Sequence, residues 1–272
     1  MIINNRAKEL IKEFSPQIET TSKTWKILAI TCIAIFLAGV GALTTQIVKG
    51  HEVTGMRDNV VWGVYIVNFI FFMGLSYAGA LISGVLHLFK SEWRKPIIRI
   101  AELITVISIL IGPVYILFCI GRLDRLWFLA AHPRIQSPIT WDVIAISTDI
   151  IGCLIFLHLS FIEDFAILRD TPELKVAKWE KNLYKRLALG FENTVEQRKS
   201  LHLLKNIMAS MVIAIAIIVY SVLAWIFGVT LQPGWHSTIF GPYFVIAAVY
   251  SGTGLLIVLM AIFRKVYKLE KH

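Results

Sequence analysis

The sequence predicts an all-α, polytopic membrane protein: a transmembrane helical bundle with six spans. Of the 272 residues, 57% are hydrophobic, and the mean hydropathy is +0.70, well above that of soluble domains. Apolar runs of roughly 20 residues are long enough to cross a bilayer, and lipid favours helices because they satisfy their own backbone hydrogen bonds. Six such runs occur: Trp25–Val48, Val60–Leu88, Ile97–Ile120, Thr140–Leu168, Leu203–Val229 and Ile239–Phe263.

The net charge of +9 is explained by topology rather than by nucleic acid, which we do not expect as a partner. With the N-terminus inside, 19 Lys and Arg residues lie in the inner segments and 5 in the outer loops. This positive-inside pattern places both termini in the cytoplasm. The segment 1–24 is too polar and too long for the start of a cleavable signal, and we expect it to lie along the inner surface as an amphipathic segment.

The second and third spans are mainly packing elements. Small residues in the second span (Gly74, Gly79, Ala80 and Gly84) predict close helix contacts. Glu102, near the inner end of the third span, is a candidate for proton transfer because a carboxylate within a span is costly. A side chain that extends to the membrane surface is the alternative interpretation.

The stretch Gly121–Asp149 carries the richest chemistry. It holds three arginines, one histidine and three aspartates between two apolar spans, and Pro133 and Pro138 interrupt the helix. Its aromatic residues are Trp127, Phe128 and Trp141. Its three arginines oppose the charge bias of the outer loops, which favours a role in a site.

The fourth span has a polar stripe. Asp142, Asp149, Phe156 and Glu163 recur every seven residues and therefore share one face of a helix, with Asp164 beside them. Asp142 lies at the outer mouth, and Asp149 lies about 10 Å deeper. These carboxyl groups are candidate proton carriers. Alternatively, Asp149 caps a neighbouring helix or pairs with an arginine.

The rest of the chain is less specific. The segment 169–202 is a basic cytoplasmic connector, and the fifth span is almost featureless. The last outer loop offers Trp235, His236 and Tyr243 as secondary candidates, although an aromatic belt explains the tryptophan and the tyrosine equally well.

A short internal repeat suggests how the spans are grouped. Residues 62–67 match residues 240–245 in type, at an offset of 178. We therefore expect a first four-helix bundle over 25–168 and, over 203–272, two helices that form half of a second bundle. The three cysteines form no CxxC pair or Cys/His cluster, so we expect no metal and no iron–sulfur cluster bound by this chain.

Three segments carry a resemblance to a known family: WGVYIVNFIFFMGLSYAG, GRLDRLWFLAAHPRIQSPITWDVIAIST and PGWHSTIFGPYF. They resemble the membrane subunits of the polysulfide-reductase (NrfD-like) family, most closely the quinol-binding subunits of alternative complex III. The resemblance implies two four-helix bundles without haem in a bacterial cytoplasmic membrane. It also implies electron exchange between menaquinone or ubiquinone and an iron–sulfur subunit on the outer face. This chain ends after six helices, so we expect either a truncated or split product or a non-autonomous subunit that a second polypeptide completes.

The resemblance places the quinone at the outer end of the first bundle, near His132, Asp142 and Asp149. The residue chemistry agrees, because a quinol site needs an aromatic slot, a group on the ring oxygen and a proton exit. His132 suits the oxygen, and Trp127, Phe128 and Trp141 suit the slot. Proton translocation is left open. The charged residues that could form ion pairs or contact a partner are Arg122, Asp124, Arg125 and Arg134.

Two other functions are compatible with the sequence. A haem b-binding membrane anchor would use His87 and His158, both in the inner halves of their spans. A proton-coupled transporter would use the carboxylates at depth and the repeat. An optical spectrum and solute-linked proton uptake, respectively, would identify these functions.

Overall fold

The computed structural model describes residues 22–58, 60–89, 94–171, 177–231, 234 and 236–266. These residues form eight α-helices and two short 3-10 segments, His51–Thr54 and Leu123–Arg125, and contain no β-strand. Most of the predicted surface segment 1–24 lies outside the described residues. The helices are α1 (Lys23–Lys49), α2 (Gly63–Leu88), α3 (Arg94–Cys119), α4 (Phe128–Ala131), α5 (Pro138–Asp170), α6 (Lys178–Leu187), α7 (Val195–Gly228) and α8 (Phe240–Val266).

Six of these helices, α1, α2, α3, α5, α7 and α8, are long and apolar enough to cross a membrane. The predicted polytopic helical fold is therefore confirmed. α7 begins eight residues before the predicted fifth span, at Val195 instead of Leu203. Its start is capped by Thr194, whose hydroxyl accepts a hydrogen bond from the backbone N–H of Gln197 at 3.2 Å. The helix thus includes polar turns that hydropathy does not detect.

The helices are divided between two compact units. Unit 1 is drawn from residues 1–55 and 158–202, and unit 2 from residues 56–157 and 203–272. In unit 1, the last turns of α5 pack through Ile162 and Ala166 against the turn after α6. The Arg169 guanidinium donates a hydrogen bond to the Phe191 carbonyl at 2.8 Å and closes this turn. Along α1, only Gln46 is buried.

Unit 2 is built on α2, and its small residues allow close approach, as predicted. A Cβ atom on Gly79 would lie 2.7 Å from the Ala101 carbonyl oxygen of α3, so only glycine fits there. On another side of α2, Gly74 faces Ala248, and Ala78 meets Gly252. From the first pair to the second, the residue number increases by four on both helices, so α2 and α8 run parallel.

α7 packs antiparallel to α2. The rings of Tyr77 and Tyr220 lie 4.6 Å apart, whereas Trp62, before the first turn of α2, meets Phe227 near the end of α7 at 5.8 Å. The same end of unit 2 holds the end of α3, since the Cys119 thiol reaches the Trp62 carbonyl at 3.8 Å. It also holds the start of α8, because Phe240 lies 6.2 Å from Phe227. The segment 120–139 joins α3 to α5 at this end, which we call the loop end.

Candidate functional site

Three rings from the predicted site come together at the loop end. Trp127 and Phe128 stack with centroids 4.3 Å apart, and the His132 ring lies 6.1 Å from Trp127 and 5.7 Å from Phe128. The three rings are close together because they lie on or beside the short helix α4. This helix ends at His132, whose backbone N–H donates a hydrogen bond to the Phe128 carbonyl at 2.8 Å. Trp127 is 58% exposed and Phe128 is 42% exposed, so the rings present apolar surface outward.

Trp141 lies on the first turn of α5 and is held to the preceding loop. Its indole N–H donates a hydrogen bond to the Ile135 carbonyl. Trp141 and Pro138 line a cavity of about 360 Å³ whose opposite wall is α7, with Trp225 prominent among its residues. Trp225 also lines a second cavity, of about 660 Å³, between α7 and α8. Both cavities are mainly apolar and therefore suit hydrocarbon.

Asp142 and Asp149 follow on α5 within unit 2. Asp142 is half-buried, and its Oδ1 has no hydrogen-bond partner among the described residues. Asp149 is fully buried at 1% exposure, and its Oδ1 accepts a hydrogen bond from the Cys153 thiol at 3.4 Å. Two turns of helix, about 10 Å, separate the two aspartates. Apart from Cys153 on the same helix, the neighbours of Asp149 come from other helices of the same unit.

Tyr220 of α7 is the main neighbour of Asp149 that the sequence did not reveal. Its side chain is completely buried and lies beside both Asp149 and Ser76 of α2. Tyr220 is thus close enough to interact with both side chains, although none of the three facing polar atoms makes a hydrogen bond that meets both the distance and the angle limits. The available signal was a tyrosine hydroxyl within the fifth span, described above as almost featureless. Cys153, one turn after Asp149, was predictable from helical spacing.

The remaining acidic candidates are Glu163 and Asp164, which lie in the other unit, and Glu102, which lies on a different helix of unit 2. Glu163 and Asp164 belong to unit 1, whereas Asp142 and Asp149 belong to unit 2. Glu102 is 2% exposed and has its carboxylate 3.7 Å from the Arg99 guanidinium one turn earlier. It is therefore buried in the bundle and does not extend to the membrane surface.

The charged residues of segment 120–139 lie on the surface. Arg122 and Asp124 form an ion pair at 3.4 Å with both side chains largely exposed. Arg125 and Arg134 are also exposed. At such exposure an ion pair contributes little to stability, so these charges are available to another surface.

The secondary candidates are partly described. His236 is exposed, with its Nδ1 3.0 Å from the Thr230 carbonyl, and Tyr243 is exposed on α8. Trp235 lies outside the described residues.

His87, considered for haem, has its Nε2 3.1 Å from the Asn206 amide oxygen, which gives the ring a packing role between α2 and α7. Within the part of the chain that the structure describes, no three His, Cys, Asp or Glu side chains are grouped to hold a metal ion.

Fold and site together define a multi-pass membrane protein in which an exposed aromatic–histidine segment leads into a helix with a buried carboxyl group. Residues 52–272 match the family described as polysulphide reductase, NrfD. The chain belongs to this family.

Two curated relatives extend the comparison. A putative membrane subunit of a dimethyl sulfoxide reductase, from Halobacterium salinarum, is 29% identical over 225 residues, which are 82% of this chain and 48% of that protein. A selenate reductase subunit from Mesobacillus selenatarsenatis is 24% identical over 239 residues, 84% of this chain and 54% of that protein. The chain thus spans about half the length of the curated relatives it matches.

Proposed function

We propose that this chain is the quinone-binding membrane subunit of a respiratory-type oxidoreductase. It takes electrons from quinol in the membrane and passes them to an iron–sulfur subunit on the outer face. Family membership supports this role, and both curated relatives are named as subunits of reductases, which receive electrons. Quinol oxidation is therefore the favoured direction.

One observation carries the proposal: the aromatic–histidine cluster continues directly into the helix that holds Asp142 and Asp149. Stacked rings at Trp127 and Phe128 offer a flat apolar surface, and His132 adds the nearby group that can bind a ring hydroxyl. Trp141, one loop later, faces a cavity of about 360 Å³. Asp142 lies near this end of α5, and Asp149 lies about two helical turns further into unit 2.

The chemistry of quinol oxidation requires each of these parts. The reaction releases two electrons and two protons. His132 accepts a proton from the ring hydroxyl, since imidazole changes charge near neutral pH. Asp142 and Asp149 receive protons and move them away from the ring. The electrons leave toward the loop end, where exposed Arg125 and Arg134 can contact an acidic surface of the iron–sulfur subunit.

The proposed location rests on the charge pattern, and the proposed assembly rests on the curated relatives. We place the chain in a bacterial cytoplasmic membrane with both termini inside, because 19 basic residues lie on one side and 5 on the other. The loop end then faces outward. We also propose that the chain works together with other subunits, because both curated relatives are named as subunits of reductases.

The proposal is tested with the complex purified together with its natural partners and reconstituted in liposomes. His132→Ala and Asp149→Asn should each lower quinol-dependent reduction of the iron–sulfur subunit at least tenfold, because acid–base groups typically contribute about 100- to 10,000-fold. Asp149→Asn retains the shape of the side chain but cannot carry the proton. Subunit composition, measured on the same preparations, separates lost chemistry from lost assembly.

Two control variants match these changes elsewhere in the chain. His51→Ala alters a histidine whose ring contacts Gln46, and Asp58→Asn alters an exposed aspartate. Both should leave turnover unchanged. Near-normal rates in both His132→Ala and Asp149→Asn would move the site elsewhere, and His236 would be the next residue to replace. Turnover that requires a transported solute would instead support a transporter.

A further inference from the structure

Three polar atoms converge deep inside unit 2, and none of them makes a hydrogen bond of good geometry among the described residues. They are Ser76 Oγ, Asp149 Oδ2 and the Tyr220 hydroxyl, from α2, α5 and α7 respectively. None of the three side chains is more than 1% exposed. Tyr220 lies beside both of the others, so the three atoms border one small region. Side chains from three different helices therefore point a carboxyl and two hydroxyls at the same place.

Such a group of atoms needs a shared partner. Buried polar atoms without hydrogen bonds are strongly disfavoured in protein interiors. A buried water molecule typically satisfies about three such atoms. Each hydroxyl both donates and accepts a hydrogen bond, so a water molecule can link them to the carboxyl group in either direction.

The surroundings of Asp149 provide no compensating positive charge. Its other oxygen receives a hydrogen bond from Cys153, and the neighbouring ionisable groups are the thiol of Cys153 and the hydroxyl of Tyr220. The ring of Tyr77 covers the Tyr220 ring at 4.6 Å. Among the described residues, every ion pair lies elsewhere. A charged carboxylate without a cation is unfavourable at this depth.

We propose that Ser76, Asp149 and Tyr220 form a binding site for one water molecule and hold one exchangeable proton on the Asp149 carboxyl group. Ser76 and Tyr220 are positioning residues, because they orient the water that exchanges the proton with Asp149. In one concerted exchange, the carboxyl O–H gives its proton to this water, and the water returns one of its own protons to the carboxylate, while the two hydroxyls hold the water in place. Atoms and charge balance, and no electron moves. The use of this proton in quinol oxidation rests on the proposed function, but the site itself does not.

Infrared spectroscopy of the reconstituted protein tests the site directly. A protonated carboxyl group has a carbonyl stretching band that shifts in heavy water, and the band of Asp149 is identified by its loss in Asp149→Asn. Should that variant fail to fold, isotope-labelled aspartate in the wild-type protein assigns the band to an aspartate, and its shift in Tyr220→Phe assigns it to Asp149. Tyr220→Phe and Ser76→Ala should each shift the band, because each removes a hydroxyl from the shared network. Tyr220→Phe keeps the ring against Tyr77.

Matched controls remove other hydroxyls. Ser83 is also buried on α2, but its hydroxyl bonds to the Ala80 carbonyl of its own helix at 3.1 Å. Tyr115 stacks on Phe72 at 5.7 Å and is not among the ionisable groups that interact with Asp149 or Tyr220. Ser83→Ala and Tyr115→Phe should leave the band in place. The absence of an aspartate band, or a band unmoved by both Tyr220→Phe and Ser76→Ala, would overturn the proposal.

The same preparations separate this proposal from the quinone function. His132→Ala should stop quinol turnover and leave the Asp149 band unchanged. If no variant affects turnover while Tyr220→Phe and Ser76→Ala shift the band, the water and proton site stands and the quinone function fails. If turnover falls in His132→Ala but the carboxyl band is missing, the quinone function stands and the proton site fails.

Discussion

At the scale of residues, the ring pair of Trp127 and Phe128 and the carboxyl of Asp149 perform separate parts of the proposed reaction. The rings are exposed and stacked 4.3 Å apart, so they contact a ligand that approaches from outside the bundle. Asp149 is buried beside the Cys153 thiol, out of reach of a ligand that stacks on these exposed rings. Changes at the rings should therefore alter binding, whereas changes at Asp149 should alter proton transfer.

Trp127→Leu should raise the KM for quinol by roughly 2- to 10-fold with little change in kcat, because an aromatic pair contributes about 0.5–1.5 kcal/mol beyond its area. The measurement is steady-state turnover of the reconstituted complex over a range of quinol concentrations. Trp179→Leu provides the control, since Trp179 is 64% exposed on α6 in unit 1. An unchanged KM in Trp127→Leu would show that this ring does not contact the substrate.

Only some residues of the candidate site could be predicted from the sequence. Asp149 stood out because a carboxylate in an apolar span is costly and rarely placed without a role. Its neighbours Ser76 and Tyr220 belong to other helices, and their proximity depends on how α2 and α7 pack against α5. No local pattern encodes that packing. The same limit applied to Trp225, which faces Trp141 across a cavity.

At the scale of helices, unit 2 depends on glycine contacts along α2 and α8. A Cβ atom at Gly252 would collide with Ala78, whereas at Gly254, two residues further along the same helix, it would meet nothing within 4 Å. The two positions have the same residue type and nearly the same depth, so they differ only in what they face.

Gly252→Ala should therefore lower the stability of the purified protein by about 1–3 kcal/mol, the usual cost of overpacking. Gly254→Ala should leave stability unchanged or raise it slightly, since alanine favours the helix. Unfolding in a denaturing detergent, followed by circular dichroism, measures both. Equal stability of the two variants would contradict the close α2–α8 contact.

Helix number was predictable from the sequence, but helix ends were less so. Hydropathy marks where a helix enters lipid, and it therefore identified all six spans. It does not mark where the helix begins, because a polar turn outside lipid can still be helical. The extension of α7 back to Val195 is signalled instead by Thr194 and Gln197, a capping pattern.

At the scale of the whole molecule, the unequal distribution of basic residues predicts the orientation. On a background without Cys32, Cys119 and Cys153, an impermeant thiol reagent should label Gln136→Cys in intact cells and should not label Lys181→Cys. Permeabilised cells should allow both to react, which shows that each site is accessible. Labelling of position 181 from outside would reverse the orientation and, with it, the proposed side of the iron–sulfur subunit.

α1 differs from the other long helices because its side chains, apart from Gln46, are not buried within the chain. Contact with lipid requires only the length and the hydrophobicity of α1, so many different apolar sequences would serve equally well. The part of the chain that matches the family begins at residue 52, after this helix. Over evolutionary time, α1 should drift freely in identity while α2, confined by glycine on two sides, stays nearly fixed.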